Sequence, residues 1–392
     1  MTVAVHGHQL IDGTGAPPVP DGAVLIEGDR ISAVGRISSL RLPAGTEVIE
    51  AGGTVLPGLV NAHTHCSIIP ALGDQTGQMK QGPLPGAFRA AGNMRRELRS
   101  GVTTARIMGE EHYLDVELRR AIEAGLVPGP RLLCSGVHLT ASHGHGRALT
   151  VTDGAEAVRR RVRENVAAGC EWIKLFITGG VSSVGAALEA YTYTREEIRA
   201  ACEEAHRAGR RVAAHAHGGP GVRVALEEGV DTIEHGALLS DEDVERLKDL
   251  GRFLVCTFAI LYHPDGIERS DRHNPAIWEK VVALRDQEAV RFRRILASGV
   301  RYAVGTDSMH GLLWFEMATL VRFGADPMEA VLAATSRAAE ACAVADRVGT
   351  LAPGKLADVV VVDGDPLTEI EAMGRVRFVM KAGRRYEHLS EE

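Results

Sequence analysis

His63 and His65 stand two residues apart at the end of an apolar run. Side chains of an extended strand alternate with period two, so both imidazoles fall on one side and can reach a single ion. Lys174, His215, His235 and Asp307 occupy comparable places, each at or near the end of its own apolar run. Lys174 lies between Ile173 and Leu175, where an unpaired ammonium would be badly solvated. Burial there favours the neutral amine, which can add carbon dioxide to become a carbamate. Four imidazoles, a carboxylate and a lysine are costly to gather unless a cation or a reaction compensates them. A hydrolytic metal site is the chemistry such a set would serve. Each residue alone has a plainer reading: loop histidines, a lysine that snorkels to solvent, hydrogen-bonded core histidines, and an aspartate capping a helix. Together the six outweigh those readings.

The elements that must position them recur along the middle of the chain. Apolar, β-rich runs at 54–60, 102–108, 131–135, 172–177, 212–215, 232–234, 253–258 and 302–305 alternate with helical stretches. One helix is announced by Thr194 and Glu197, which have capping-box spacing; others follow Asp153, Ser240 and Asp326. Nearly continuous apolar strands between helices predict a parallel sheet covered on its outer face. Eight such runs fit an α/β fold of the closed (β/α)8 TIM-barrel type, with a doubly wound open sheet as the competitor. The candidate residues favour the barrel, because they end the first, fourth, fifth, sixth and eighth runs. An open sheet would not readily gather its first and last strands at one point.

Both ends of the chain read differently. Residues 3–54 alternate short β-rich runs with turn signals such as Asp12-Gly13-Thr14-Gly15, and the style returns at 356–385. The expectation is a small antiparallel β-sandwich domain built from residues 1–56 and 353–392 around a barrel of residues 57–352.

Composition sets outer limits. The chain has 392 residues, 45% of them hydrophobic, with a formal net charge of −7. That balance supplies no broad basic field for nucleic acid. No apolar run approaches the roughly 20 residues needed to cross a bilayer, and residues 1–7 do not read as a secretion signal. Six cysteines without paired spacing suggest reduced, buried thiols and a cytoplasmic location.

The segment Leu56-Pro57-Gly58-Leu59-Val60-Asn61-Ala62 before His63-Thr64-His65, the lysine strand running into Thr178-Gly179-Gly180-Val181, and the closing segment 349–358 together resemble the metal-dependent amidohydrolase superfamily over nearly the whole chain. The lysine strand looks most similar to the branch of prolidase-like dipeptidases, arginine carboxypeptidase-like enzymes and relatives of imidazolonepropionase. That resemblance implies two divalent cations, zinc by default. His63 and His65 would hold one with Asp307, His215 and His235 the other, and carboxylated Lys174 would bridge them. It further implies that a hydroxide shared by the two cations attacks a carbonyl, with Asp307 moving the proton to a leaving nitrogen.

Substrate contacts are expected from Ser142-His143-Gly144-His145-Gly146, a variant of the loop by which peptidase-type relatives contact a carboxylate, and from His217; Arg147 stands beside that loop. If His143, His145 and His217 bind a carboxylate, a dipeptide or N-acyl amino acid is the natural small-molecule substrate. Aryl amides, carbamates, ureas or cyclic amides form the rival class, with phosphotriesters, a non-enzymatic scaffold and metal storage or sensing behind them. Self-association is left open, although relatives often do so.

Overall fold

The computed structural model describes residues 2–146, 150–183 and 187–386. Eight strands follow one another through its middle: Leu59–Thr64 (β1), Val102–Ile107 (β2), Arg131–Leu133 (β3), Trp172–Phe176 (β4), Arg211–Gly218 (β5), Thr232–Leu238 (β6), Phe253–Cys256 (β7) and Arg301–Val304 (β8). They form two parallel sheets, one ordered β3-β2-β1 and the other β4-β5-β6-β7-β8. Backbone hydrogen bonds span both gaps between the sheets. Leu139 N–H donates to Lys174 O at 2.8 Å and Phe176 N–H to Leu139 O at 2.9 Å. On the other side, Asp307 N–H donates to His63 O at 2.9 Å and His65 N–H to Asp307 O at 2.7 Å. The architecture is thus an α/β fold of parallel strands alternating with helices.

Alternation along β4 explains its near-continuous apolar sequence. Ile173 and Leu175 join the large core packed by the helices, whereas Trp172 joins an inner cluster with Val60, Ala62, Met108 and Val255. Lys174 shares the parity of Trp172 and is fully buried. The helix announced by Thr194 spans Arg195–Arg207, and its capping box forms as expected, Thr194 N–H donating to the Glu197 carboxylate at 2.8 Å.

The first apolar run divides between two sheets. Thr54–Pro57 pairs antiparallel with Val359–Val362, and only after Gly58 does β1 begin. A Cβ on Gly58 would lie 2.2 Å from the Thr103 hydroxyl, so the chain changes sheets where it passes against β2. Strands from both ends of the chain share a six-stranded sheet; a four-stranded sheet faces it across Val3, Val5, Val24, Val55, Val361 and Met380. Two pairings there are parallel rather than antiparallel, Thr2–His6 with Glu47–Glu50 and Gln9–Leu10 with Thr54–Pro57. Alternation and turn residues mark strands without specifying which neighbour each one finds. Among the described residues no helix is long and apolar enough to cross a membrane, and all six cysteines are free and buried.

Candidate active site

The ends of β1, β4, β5, β6 and β8 bring the six expected residues together. One ligand atom each from His63, His65 and Asp307 lies within 4.8 Å of the others. Lys174 Nζ stands 3.4 Å from His63 Nε2. The His63 ring centroid is 4.8 Å from that of His235, and His235 is 4.6 Å from His215. Close approach of β8 to β1 requires a glycine: a Cβ on Gly305 would fall 2.4 Å from His63 N.

Backbone conformation aims two of the groups. His235 has φ 71° and Asp307 φ 57°, left-handed values that are uncommon outside glycine and that recur at functional sites. Neighbours on a strand ordinarily face opposite sides. The turn at His235 breaks that rule, so that Glu234 meets His63 Nδ1 at 2.6 Å while the His235 ring also packs against His63.

Each imidazole has one nitrogen engaged away from the shared space. His63 Nδ1 is held by Glu234, His65 Nδ1 donates to Gly109 O at 3.0 Å, His215 Nε2 donates to Gly179 O at 3.2 Å, and the Thr257 hydroxyl meets His235 Nδ1 at 2.7 Å. The second nitrogen of each is then left as a lone-pair donor, the arrangement typical of metal-ligating histidines. Burial, assisted by Lys174 and neighbouring rings, holds His63, His215 and His235 well below the usual imidazole range and His65 down to about 3. Burial also brings Lys174 down to about 8 and lifts Asp307 to about 6. Neutral imidazoles, a lysine close to losing its proton and a carboxylate compose a donor set that fits divalent cations.

The expected substrate residues separate. His145 and His217 line one cavity with His65, His215, His235 and Asp307. His145 stacks on His215 at 4.5 Å, and its ring lies against Gly180, where a Cβ would be 2.3 Å away. Gly179 and Gly180 of the motif after β4 therefore supply an acceptor for His215 and room for His145. Burial and mutual proximity hold His145 near 3; burial and Lys280 hold His217 near 4. His143 is exposed and is not among the residues lining the cavity. Arg147 lies outside the described residues. Apolar side chains of Ile68, Met79, Ile260, Leu261 and Ile267 line the same cavity.

Several residues of the site were not anticipated. Arg106 and Glu234 are fully buried; Nη2 donates to both carboxylate oxygens at 2.8 and 2.9 Å, and Nε donates to Ala62 O at 2.6 Å. The guanidinium stacks 4.3 Å from the Trp172 ring. Arg106 and Glu234 each put a charge inside an apolar strand, the same sequence signal that Lys174 carries. Behind β1, Asn61 Nδ2 donates to Glu97 and to Thr306 Oγ1 at 3.3 and 2.8 Å, and His310 meets Glu97 at 3.3 Å. Glu288, also in the cavity wall, had no signal beyond a charged residue on a helix.

Known proteins resemble the chain over nearly its whole length. The Amidohydrolase family profile matches residues 54–386. An ochratoxinase of Aspergillus niger is 27% identical over 97% of this chain and 85% of its own length. An imidazolonepropionase of Streptomyces griseus subsp. griseus is 29% identical over 92% of this chain and 90% of its own. The crystal structure of a Xaa-Pro dipeptidase with methionine bound in its active site superposes with a TM-score of 0.88 at 28% identity, covering 99% of this chain and 100% of that one. With its histidine, lysine and aspartate groups converging beside one cavity, the chain belongs to the amidohydrolase family and is a hydrolase of carbon–nitrogen bonds.

Proposed function

We propose that the protein is a binuclear metal-dependent amidohydrolase that cleaves the amide bond of dipeptides or N-acyl amino acids bearing a free carboxylate. The observation that carries this reading is the shared cavity, lined by four of the candidate metal ligands, His65, His215, His235 and Asp307, together with His145 and His217. In this account the eight strands close as a (β/α)8 barrel, flanked by a β-sandwich domain of residues 1–56 and 353–392. His63, His65 and Asp307 would hold one cation, His215 and His235 a second, and carboxylated Lys174 both. Zinc is the default for such ligands. Bound there, the cations supply the Lewis acidity that activates water and polarises the substrate carbonyl.

The chain's own residues do the rest. Asp307 accepts a proton from the attacking water and returns it to the leaving nitrogen, which is too basic to depart unprotonated. His145 and His217 orient the substrate carboxylate by hydrogen bonding. Glu234, fixed by Arg106, holds the His63 ring so that Nε2 faces Lys174 and Asp307. The apolar wall fits an acyl or side-chain group, and it also favours a second reading in which neutral aryl amides are the substrates.

A panel of dipeptides and N-acyl amino acids against the corresponding neutral anilides separates the two. The first reading expects the carboxylates to be preferred, and His145→Ala to raise their KM far more than it lowers kcat. Equal turnover of carboxylate and neutral substrates overturns it in favour of the second.

A further inference from the structure

On the helix Pro275–Ser298 the buried positions are Ile277, Val281, Leu284, Glu288, Phe292 and Ile295. They form a stripe at helical spacing in which one member is a carboxyl. Glu288 is 2% exposed, and burial pushes its carboxyl up to about 8, with Tyr262 as its hydrogen-bonding neighbour. Among the described residues no cation pairs with it. The Tyr262 hydroxyl donates to Arg285 O at 3.0 Å. Of the two carboxyl oxygens, Oε2 is buried without any hydrogen-bond partner.

A buried acceptor without a partner is a cost to folding that a hydrocarbon side chain at the same place would avoid. Glu288 also lines the cavity that holds His65, His215, His235 and Asp307, as do Ile260, Leu261 and Ile267. We propose that Glu288 is the specificity residue of this site, its carboxyl accepting a hydrogen bond from a hydroxyl or N–H group borne on an otherwise apolar part of the substrate. The inference rests on the hydrolase reading above and names the half of the substrate that it leaves open. A site built to bond such a donor discriminates strongly against the analogue that lacks it, because the protein group is then left unpaired.

Three N-phenylacetyl-L-alanines test this, with a hydroxyl, a methyl or an aminomethyl group at the para position of the ring. The metal-loaded enzyme should favour hydroxyl over methyl by at least about tenfold in kcat/KM. Glu288→Gln should keep that ratio, because its amide still presents a carbonyl oxygen to the substrate. Glu288→Leu should reverse the ratio; damage to folding alone would lower all three rates together and leave it unchanged. Equal rates for hydroxyl and methyl in the wild type, or a preference that survives in Glu288→Leu, overturn the proposal. So does a preference for the aminomethyl substrate that Glu288→Gln abolishes, which would make the residue an ionised partner for a cation. If none of the three is cleaved while other amides are, the proposal fails and the hydrolase reading stands. If no amide is cleaved, both fail.

Discussion

Removing the Glu234 carboxylate should damage the site from beneath. Glu234 and Arg106 are both fully buried, and one carboxylate serves the guanidinium at 2.8 and 2.9 Å and His63 Nδ1 at 2.6 Å. Glu234→Ala leaves a buried guanidinium unpaired, which costs about 3–5 kcal/mol. It also leaves a ring nitrogen without its partner, about 1–3 kcal/mol. Because one group makes both interactions the two costs overlap, and the expected loss is about 4 kcal/mol, a large part of the roughly 5–15 kcal/mol of a typical domain. Loss of the partner that orients a ligand should weaken zinc about 10–100-fold. Urea denaturation of the metal-free protein and a chelator competition titration read the two effects separately. Arg106→Met combined with Glu234→Leu removes both buried charges and should recover much of the stability but none of the zinc affinity. A Glu234→Ala protein within about 1 kcal/mol of wild type, with unchanged zinc affinity, would refute the assignment, because so small a loss is what a surface substitution gives.

Other consequences follow from the same geometry. Glu288 is uncharged in both folded and unfolded chains below its ordinary value of 4.5, and ionised in both above about 8. Between those limits the unfolded chain ionises first, so stability is lost as pH rises from about 4.5 to 8, by on the order of 4–5 kcal/mol in total. Glu288→Gln should flatten that part of the stability profile, and parallel profiles for the two proteins would contradict the burial argument. Gly305→Ala should displace β1 from β8, lowering metal content together with thermal stability; a variant retaining both would mean that the 2.4 Å approach to His63 N relaxes freely. Asp307→Asn should retain most of the metal, since the amide oxygen remains a donor, yet lose most of kcat. Unchanged turnover would remove Asp307 from proton transfer.

Much of this was legible in the sequence, for identifiable reasons. His63, His65, Lys174, His215, His235 and Asp307 stand out because polar groups interrupt apolar strands, and parallel strands bring their carboxyl ends to one region. What stayed hidden depends on three-dimensional approach. The break at Gly58 is invisible in an apolar run that continues on either side of it. His143 and His145 are indistinguishable by spacing, and only the seat provided by Gly180 brings one of them into the cavity while the other faces solvent. Left-handed backbone at His235 and Asp307 could not be anticipated, because histidine and aspartate adopt it more often than most residues but still only in a small minority of places. Arg106 and Glu234 carried the same signal as Lys174, but their partnership spans 128 positions of sequence and emerges only when β2 and β6 meet.

The central claim is a two-cation centre whose ligands include Lys174. Metal content per chain, measured on wild type and Lys174→Met after loading with excess zinc and removal of loosely bound metal, tests it most directly. The account predicts two ions in the wild type, with loss of at least one in the variant. One ion or none in the wild type, or two in the variant, would contradict it.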